Sequence, residues 1–204
     1  MKGASSDKKR KAGVLAEIDS DMARDILQRL AGEDADLRKK IERAALEMLR
    51  GIDPEAVASE LIFALNSLRA EDVWDHSGRT RDGYVDPTDC AFGMFEGELE
   101  PFLEDMRKYR RLAMRAEARA FCEGILQGLY MFGEGGESDT EFAEWAVDAP
   151  REFFDCVLDE WVEKCRFPKD VEAVNAFARL KCPEWWNARE KREAMRAGRG
   201  RTKR

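Results

Sequence analysis

A single histidine in 204 residues closes off more chemistry than any other feature of this chain. With one histidine, the paired Glu-x-x-His motifs of di-metal helical bundles cannot be built, nor can a zinc site that needs two. The five cysteines (Cys90, Cys122, Cys156, Cys165, Cys182) are odd in number and form no Cys-x-x-Cys. A chain of this length needs no disulfide staples, so a reducing, cytoplasmic setting and no cofactor are expected. Cys122 and Cys156 fall on apolar helical faces, where buried thiols act as small hydrophobes. No apolar run approaches the roughly eighteen residues of a membrane span, and the charged start lacks a signal-peptide pattern, so no membrane role is expected. The run Gly133-Glu134-Gly135-Gly136-Glu137 lacks the Lys-Ser/Thr of a phosphate cradle, and its glutamates would repel phosphate. Alternating β patterns are missing as well, with Gly83-Tyr84-Val85 the one weak candidate.

What is abundant is charge, at 38% of residues, with a net of −7. The two ends run against that sign. Residues 1–13 carry +4 and residues 187–204 carry +6, which leaves −17 for the stretch between them. An acidic body repels nucleic acid at long range, so nucleic acid could be gripped only through the basic tails.

Helix signals recur along the chain. Ser20 is placed to cap a helix over 21–31 that ends at Gly32, with Met22, Ile26, Leu27 and Leu30 on its inner face. A second helix from Asp34 or Asp36 turns Leu37, Ile41, Ala45, Met48 and Leu49 inward, and Gly51 stops it. Asp53-Pro54-Glu55 supplies a cap acceptor, a proline at the first helical position and an acid in the first turn. That helix carries Val57, Leu61, Ile62, Leu65 and Leu68. Asp86-Pro87 starts another helix in the same way, and Pro101 is expected to kink or divide it. Met114–Phe132 forms another helix, on which Gly124 and Gly128 lie four apart and invite close approach by a neighbour. Ser138-Asp139 caps a short helix with Phe142 and Trp145. Asp148-Ala149-Pro150 opens one with Phe153, Phe154, Val157, Leu158 and Trp161, and Pro168 opens one with Val171, Val174, Ala178 and Leu180. Trp185-Trp186 closes the core. The fold class is therefore all-α, an antiparallel bundle or a short α-solenoid of about eight or nine helices. The expected organisation is a flexible tail over 1–18, one helical domain over 19–186 with a long loop at 70–87, and a basic tail over 187–204.

The segment Val73–Pro87 is the exception to this helical grammar. It reads as irregular and charged, and it holds the histidine, two arginines and two aromatics. Long loops inside compact domains are often functional. His76 has the chemistry of a general base oriented by Asp75 or Asp86, while Arg79 and Arg81 suit a carboxylate or phosphate. Trp74 and Tyr84 suit anchoring. Bracing of the loop, a partner surface and a ligand site all remain open. The aspartates do not match the spacing of a calcium loop, and Ser77 and Thr80 lie outside any nucleophile elbow.

The run Asp72-Val73-Trp74-Asp75-His76-Ser77-Gly78-Arg79-Thr80-Arg81-Asp82-Gly83-Tyr84-Val85-Asp86-Pro87, followed by Glu98-Leu99-Glu100-Pro101-Phe102, resembles a segment of helical microbial proteins, some of which carry a SWIM-type zinc finger. The resemblance implies a helical, repeat-like region that binds a partner. The finger's own Cys-x-Cys…Cys-x-His pattern is absent here, so its zinc and nucleic-acid roles are not implied.

Together these readings lead to a non-catalytic protein-interaction module with a protein partner, presented through Trp74, His76, Arg79, Arg81 and Tyr84. The alternatives are an enzyme or anion-binding protein using the same loop, and nucleic-acid binding through the tails. No complete catalytic set is present, and the oligomeric state is not set by the sequence.

Overall fold

The computed structural model describes residues 16–81, 83–134 and 141–201, and these divide between two compact units, 1–50 and 51–204. The basic stretch 1–13, the Ser138-Asp139 cap and Gly135-Gly136 lie outside the described residues.

In the first unit, helices α1 (Ser20–Glu33) and α2 (Ala35–Met48) pack as a pair. Asp19 caps α1 in place of Ser20, its carboxylate accepting from the Met22 N–H at 2.8 Å. Gly32 lies inside α1, and the break comes two residues later at Asp34. There a backbone N–H reaches back to Leu30 O at 3.2 Å, while the carboxylate accepts from the Asp36 and Leu37 N–H groups at 2.8 and 3.1 Å. One aspartate thus ends one helix and starts the next. Neither helix buries a residue, contrary to the expected inner stripes: Met22 is 51% exposed and Met48 87%. Within the unit each helix has a single helical neighbour, and one neighbour cannot enclose a stripe.

The second unit runs through α3 (Pro54–Asn66), α4 (Ala70–His76), strands β1 (Gly78–Thr80) and β2 (Gly83–Val85), α5 (Pro87–Arg111) and α6 (Arg115–Glu134). A 3-10 turn (Glu141–Glu144), α7 (Ala149–Lys164), α8 (Pro168–Lys181) and α9 (Pro183–Arg201) complete it. The protein is all-α, with nine α-helices and one small hairpin among the described residues. Both Asp-Pro starts form as their residues dictate: Asp53 accepts from the Glu55 N–H at 3.1 Å and Asp86 from the Thr88 N–H at 2.8 Å. Pro101 neither divides α5 nor ends it.

Helix α6 is the centre of this unit, with α3, α5, α7 and α8 packed around it. Gly124 and Gly128 are the surfaces on which α3 rests, as their spacing predicts. A Cβ at Gly124 would lie 2.6 Å from Val57 Cβ, and one at Gly128 would lie 3.1 Å from the Ala58 carbonyl oxygen. Leu61, Leu65, Phe95, Leu99, Ile125 and Leu129 are wholly buried around this contact. Val57, Ile62 and Leu68 are buried too, as read from the sequence, whereas Leu180 is 76% exposed.

The basic stretch from 187 continues α9 as far as Arg201 and is not an irregular tail. Trp185 anchors the helix. Its ring meets Phe154 and Tyr130 edge-on, each with a centroid distance of 5.3 Å, and its Nε1–H donates to Glu134 at 2.8 Å.

Candidate functional site

The segment predicted as irregular holds regular elements. Ala70–His76 is a short helix, and strands Gly78–Thr80 and Gly83–Val85 pair antiparallel with Arg79 opposite Tyr84. Two glycines make this possible. Gly78 has φ +86° and Gly83 φ +139°, backbone states that a side chain would strain. The sequence hid the hairpin because each strand has three residues, too few to display an alternation.

The five expected residues all lie in this helix and hairpin or in the turn between its strands. Trp74 is 57% exposed and Tyr84 70%, and His76, Arg79 and Arg81 are exposed as well. Trp74 has a partial anchor: its ring meets Trp145 edge-on at 4.7 Å between centroids. His76 is oriented by the Asp72 backbone carbonyl, 2.7 Å from Nδ1, and not by Asp75 or Asp86. A carbonyl can only accept, so Nδ1 is the donor in this contact. Neither arginine has an ion-pair partner among the described residues. Trp74 and Tyr84 stay largely in solvent and are not packed between helices as braces. Among the described residues no group of three His, Cys, Asp or Glu side chains is placed to hold a metal ion.

Sequence reasoning missed a second constellation. Where the ends of α5 and α7 meet the starts of α6 and α8, a cleft of about 540 Å³ is lined by Arg110, Arg111, Arg115, Lys164 and Arg166, with Asp170 the lone carboxylate. Its walls include the buried Trp161 and the half-exposed Phe167. Arg110, Arg111 and Arg115 belong to a local basic run with Arg107 and Lys108, but Lys164 and Arg166 stand far along the chain beside acids, so the sequence does not disclose that the two stretches meet.

Behind this cleft lies an ion network. The Arg107 guanidinium donates to both Glu160 oxygens, at 3.0 and 2.6 Å, and to Glu100 at 2.6 Å. Arg110 Nη2 donates to Glu160 at 3.2 Å. The hydrogen bonds from Arg107, more than its charge, hold the Glu160 carboxyl below the usual carboxylate range.

Two of the basic residues over 187–204 are engaged with the body. Arg189 pairs with Asp155 at 3.3 Å and with Asp159, and Arg192 pairs with Asp155. Cys122 is buried and its thiol is pushed well up by loss of solvation. Cys156 is exposed, contrary to the face expected for it, because Phe153, Phe154, Val157 and Trp161 turn the opposite side of α7 inward. No helix among the described residues is long and apolar enough to cross a membrane. Comparison with family models, with curated proteins and with solved structures finds no match to this chain.

Proposed function

We propose that this chain is a non-catalytic helical module of the microbial cytoplasm that binds a protein partner through the hairpin protrusion. One observation carries the reading. Trp74, Arg79, Arg81 and Tyr84 stand exposed together on a glycine-shaped hairpin and the helix before it, and the arginines are without ion-pair partners among the described residues. Trp, Tyr and Arg are the residue types that dominate binding energy at protein interfaces. Rigid aromatic side chains lose little conformational freedom on docking.

A photoreactive amino acid in place of Tyr84 tests the proposal in cells. The expected result is a discrete protein adduct that Trp74→Ala and Arg79→Ala each reduce at least about tenfold, equivalent to about 1.4 kcal/mol of binding, with thermal midpoints unchanged. An adduct pattern indifferent to both substitutions, or no adduct, overturns it.

The enzyme reading of the same segment has less support, since His76 stands in solvent with a backbone carbonyl as its partner. Recognition of nucleic acid through the chain ends loses two of its expected phosphate ligands to Asp155 and Asp159.

A further inference from the structure

We infer that the cationic cleft between the ends of α5 and α7 and the starts of α6 and α8 binds a small organic phosphate carrying a flat apolar group. The inference is independent of the hairpin, which contributes nothing to the cleft.

Charge is the first observation. Five cations face one carboxylate across the cleft, in a chain whose net charge is −7. Part of that charge has a local explanation. Arg110, Arg111 and Lys164 lie in the last turns of α5 and α7, where cations complement the helix dipole. Neighbouring acids also take a share: Lys164 pairs with Glu163, Arg110 with Glu160, and Arg115 with Asp170 at 2.8 Å. Even with Glu160 and Glu163 counted, the cleft keeps an excess of two positive charges. Arg111 and Arg166 have no ion-pair partner among the described residues, and Arg166 lies beyond α7, where dipole complementarity does not account for it.

Unmet hydrogen bonding is the second. Arg111 and Arg166 are exposed and have no ion-pair partner among the described residues. Guanidinium groups match phosphate oxygens in paired geometry, so a bound phosphate would supply these two with acceptors.

Shape is the third. The volume falls in the range of small-molecule sites, and part of the lining is aromatic. The Arg115 guanidinium lies 3.6 Å from the centroid of the Phe167 ring, and that ring is still 44% exposed. A flat apolar group can stack on such a ring, completing a sandwich with the cation. The charged cleft lined by Asp155, Asp159, Arg189, Arg192 and Glu193 lacks this combination, because both of its cations are already neutralised by carboxylates.

Calorimetric titration of the full chain with AMP, adenosine and inorganic phosphate tests this at low salt. The expected result is saturable binding of AMP, at least about tenfold tighter than inorganic phosphate, with adenosine tenfold or more weaker. Arg166→Ala and Arg111→Ala, both on exposed residues, should each weaken AMP at least about fivefold. Phe167→Ala should weaken AMP and leave phosphate unchanged, and Arg79→Ala should change neither. Failure of AMP to bind overturns the inference, as does AMP binding indifferent to Arg111 and Arg166. Inorganic phosphate binding as tightly as AMP overturns the part assigned to the flat group.

Discussion

Replacing one hydrogen on the Gly124 α-carbon with a methyl group would put that methyl 2.6 Å from Val57 Cβ and 2.7 Å from the Pro54 carbonyl oxygen. Alanine is the better helix former by about 1 kcal/mol, but here it meets the backbone of α3, which cannot swing aside. Gly124→Ala is therefore expected to destabilise by about 1–2 kcal/mol, more than Gly128→Ala, and urea unfolding of both variants measures the difference. Ala113 argues in the opposite direction. It holds φ +57° just past α5, where the Met114 N–H reaches back to Tyr109 O at 3.0 Å, the helix-ending geometry that favours glycine. Ala113→Gly should relieve the strain and stabilise by about 1 kcal/mol. A third residue-scale outcome concerns Glu160. Its folded pKa is depressed, chiefly by the hydrogen bonds from Arg107. The associated stability is present above the ordinary carboxylate value, near about 4.3, and is lost as pH falls through the lower folded value. The stability gap between wild type and Glu160→Gln should thus be constant near neutrality and close on acidification, as denaturant midpoints across that range will show.

At the scale of elements, what the sequence disclosed depended on how local the deciding contacts are. Asp53-Pro54-Glu55 and Asp86-Pro87-Thr88-Asp89 each carry cap, proline and first-turn acid side by side, so α3 and α5 were legible at their starts. The Gly124–Gly128 pair also announced its close neighbour, because only a missing Cβ lets backbones approach that far. The hairpin was not legible. Its register rests on two positive-φ glycines and six strand residues, a signal no stronger than an ordinary loop's. The five residues proposed there as a site do lie in the short helix, the hairpin and its turn, but their exposure could not be read from spacing. The cationic cleft was invisible for a different reason: it exists only where four helix ends meet, and Arg110 and Arg166 are brought together by the packing of α5 against α6 and α6 against α7. The fate of residues 187–201 was equally non-local. Basic composition suggests a solvated tail, yet Trp185 and the Asp155 carboxylate draw the chain on as α9. Trp185→Ala empties a site walled by Phe154, Tyr130 and Gly133. It should cost about 3–5 kcal/mol, while Arg189→Ala should cost only about 1 kcal/mol, in keeping with partly exposed ion pairs.

At the scale of the whole chain, stability is concentrated after Gly51. Among the described residues, every buried core residue lies in the second unit, from Val57 to Trp186, whereas α1 and α2 bury nothing. Each of those two helices has 14 residues, close to the length at which a helix without packing support is marginal in water. Their amides should therefore exchange with solvent far faster than those of α6, whose wholly buried Ile125, Leu126 and Leu129 open only with the core. The same contrast fixes the outcome of a truncation. Among the described residues every buried apolar side chain lies within 51–204, so a fragment spanning 51–204 should show a cooperative thermal transition of its own. Loss of that transition would mean that this unit does not fold by itself. Conversely, a fragment ending at Lys181 removes Trp185 and Trp186 from the core. It should fail to give a cooperative transition, because the aromatic side of α7 would then open to water.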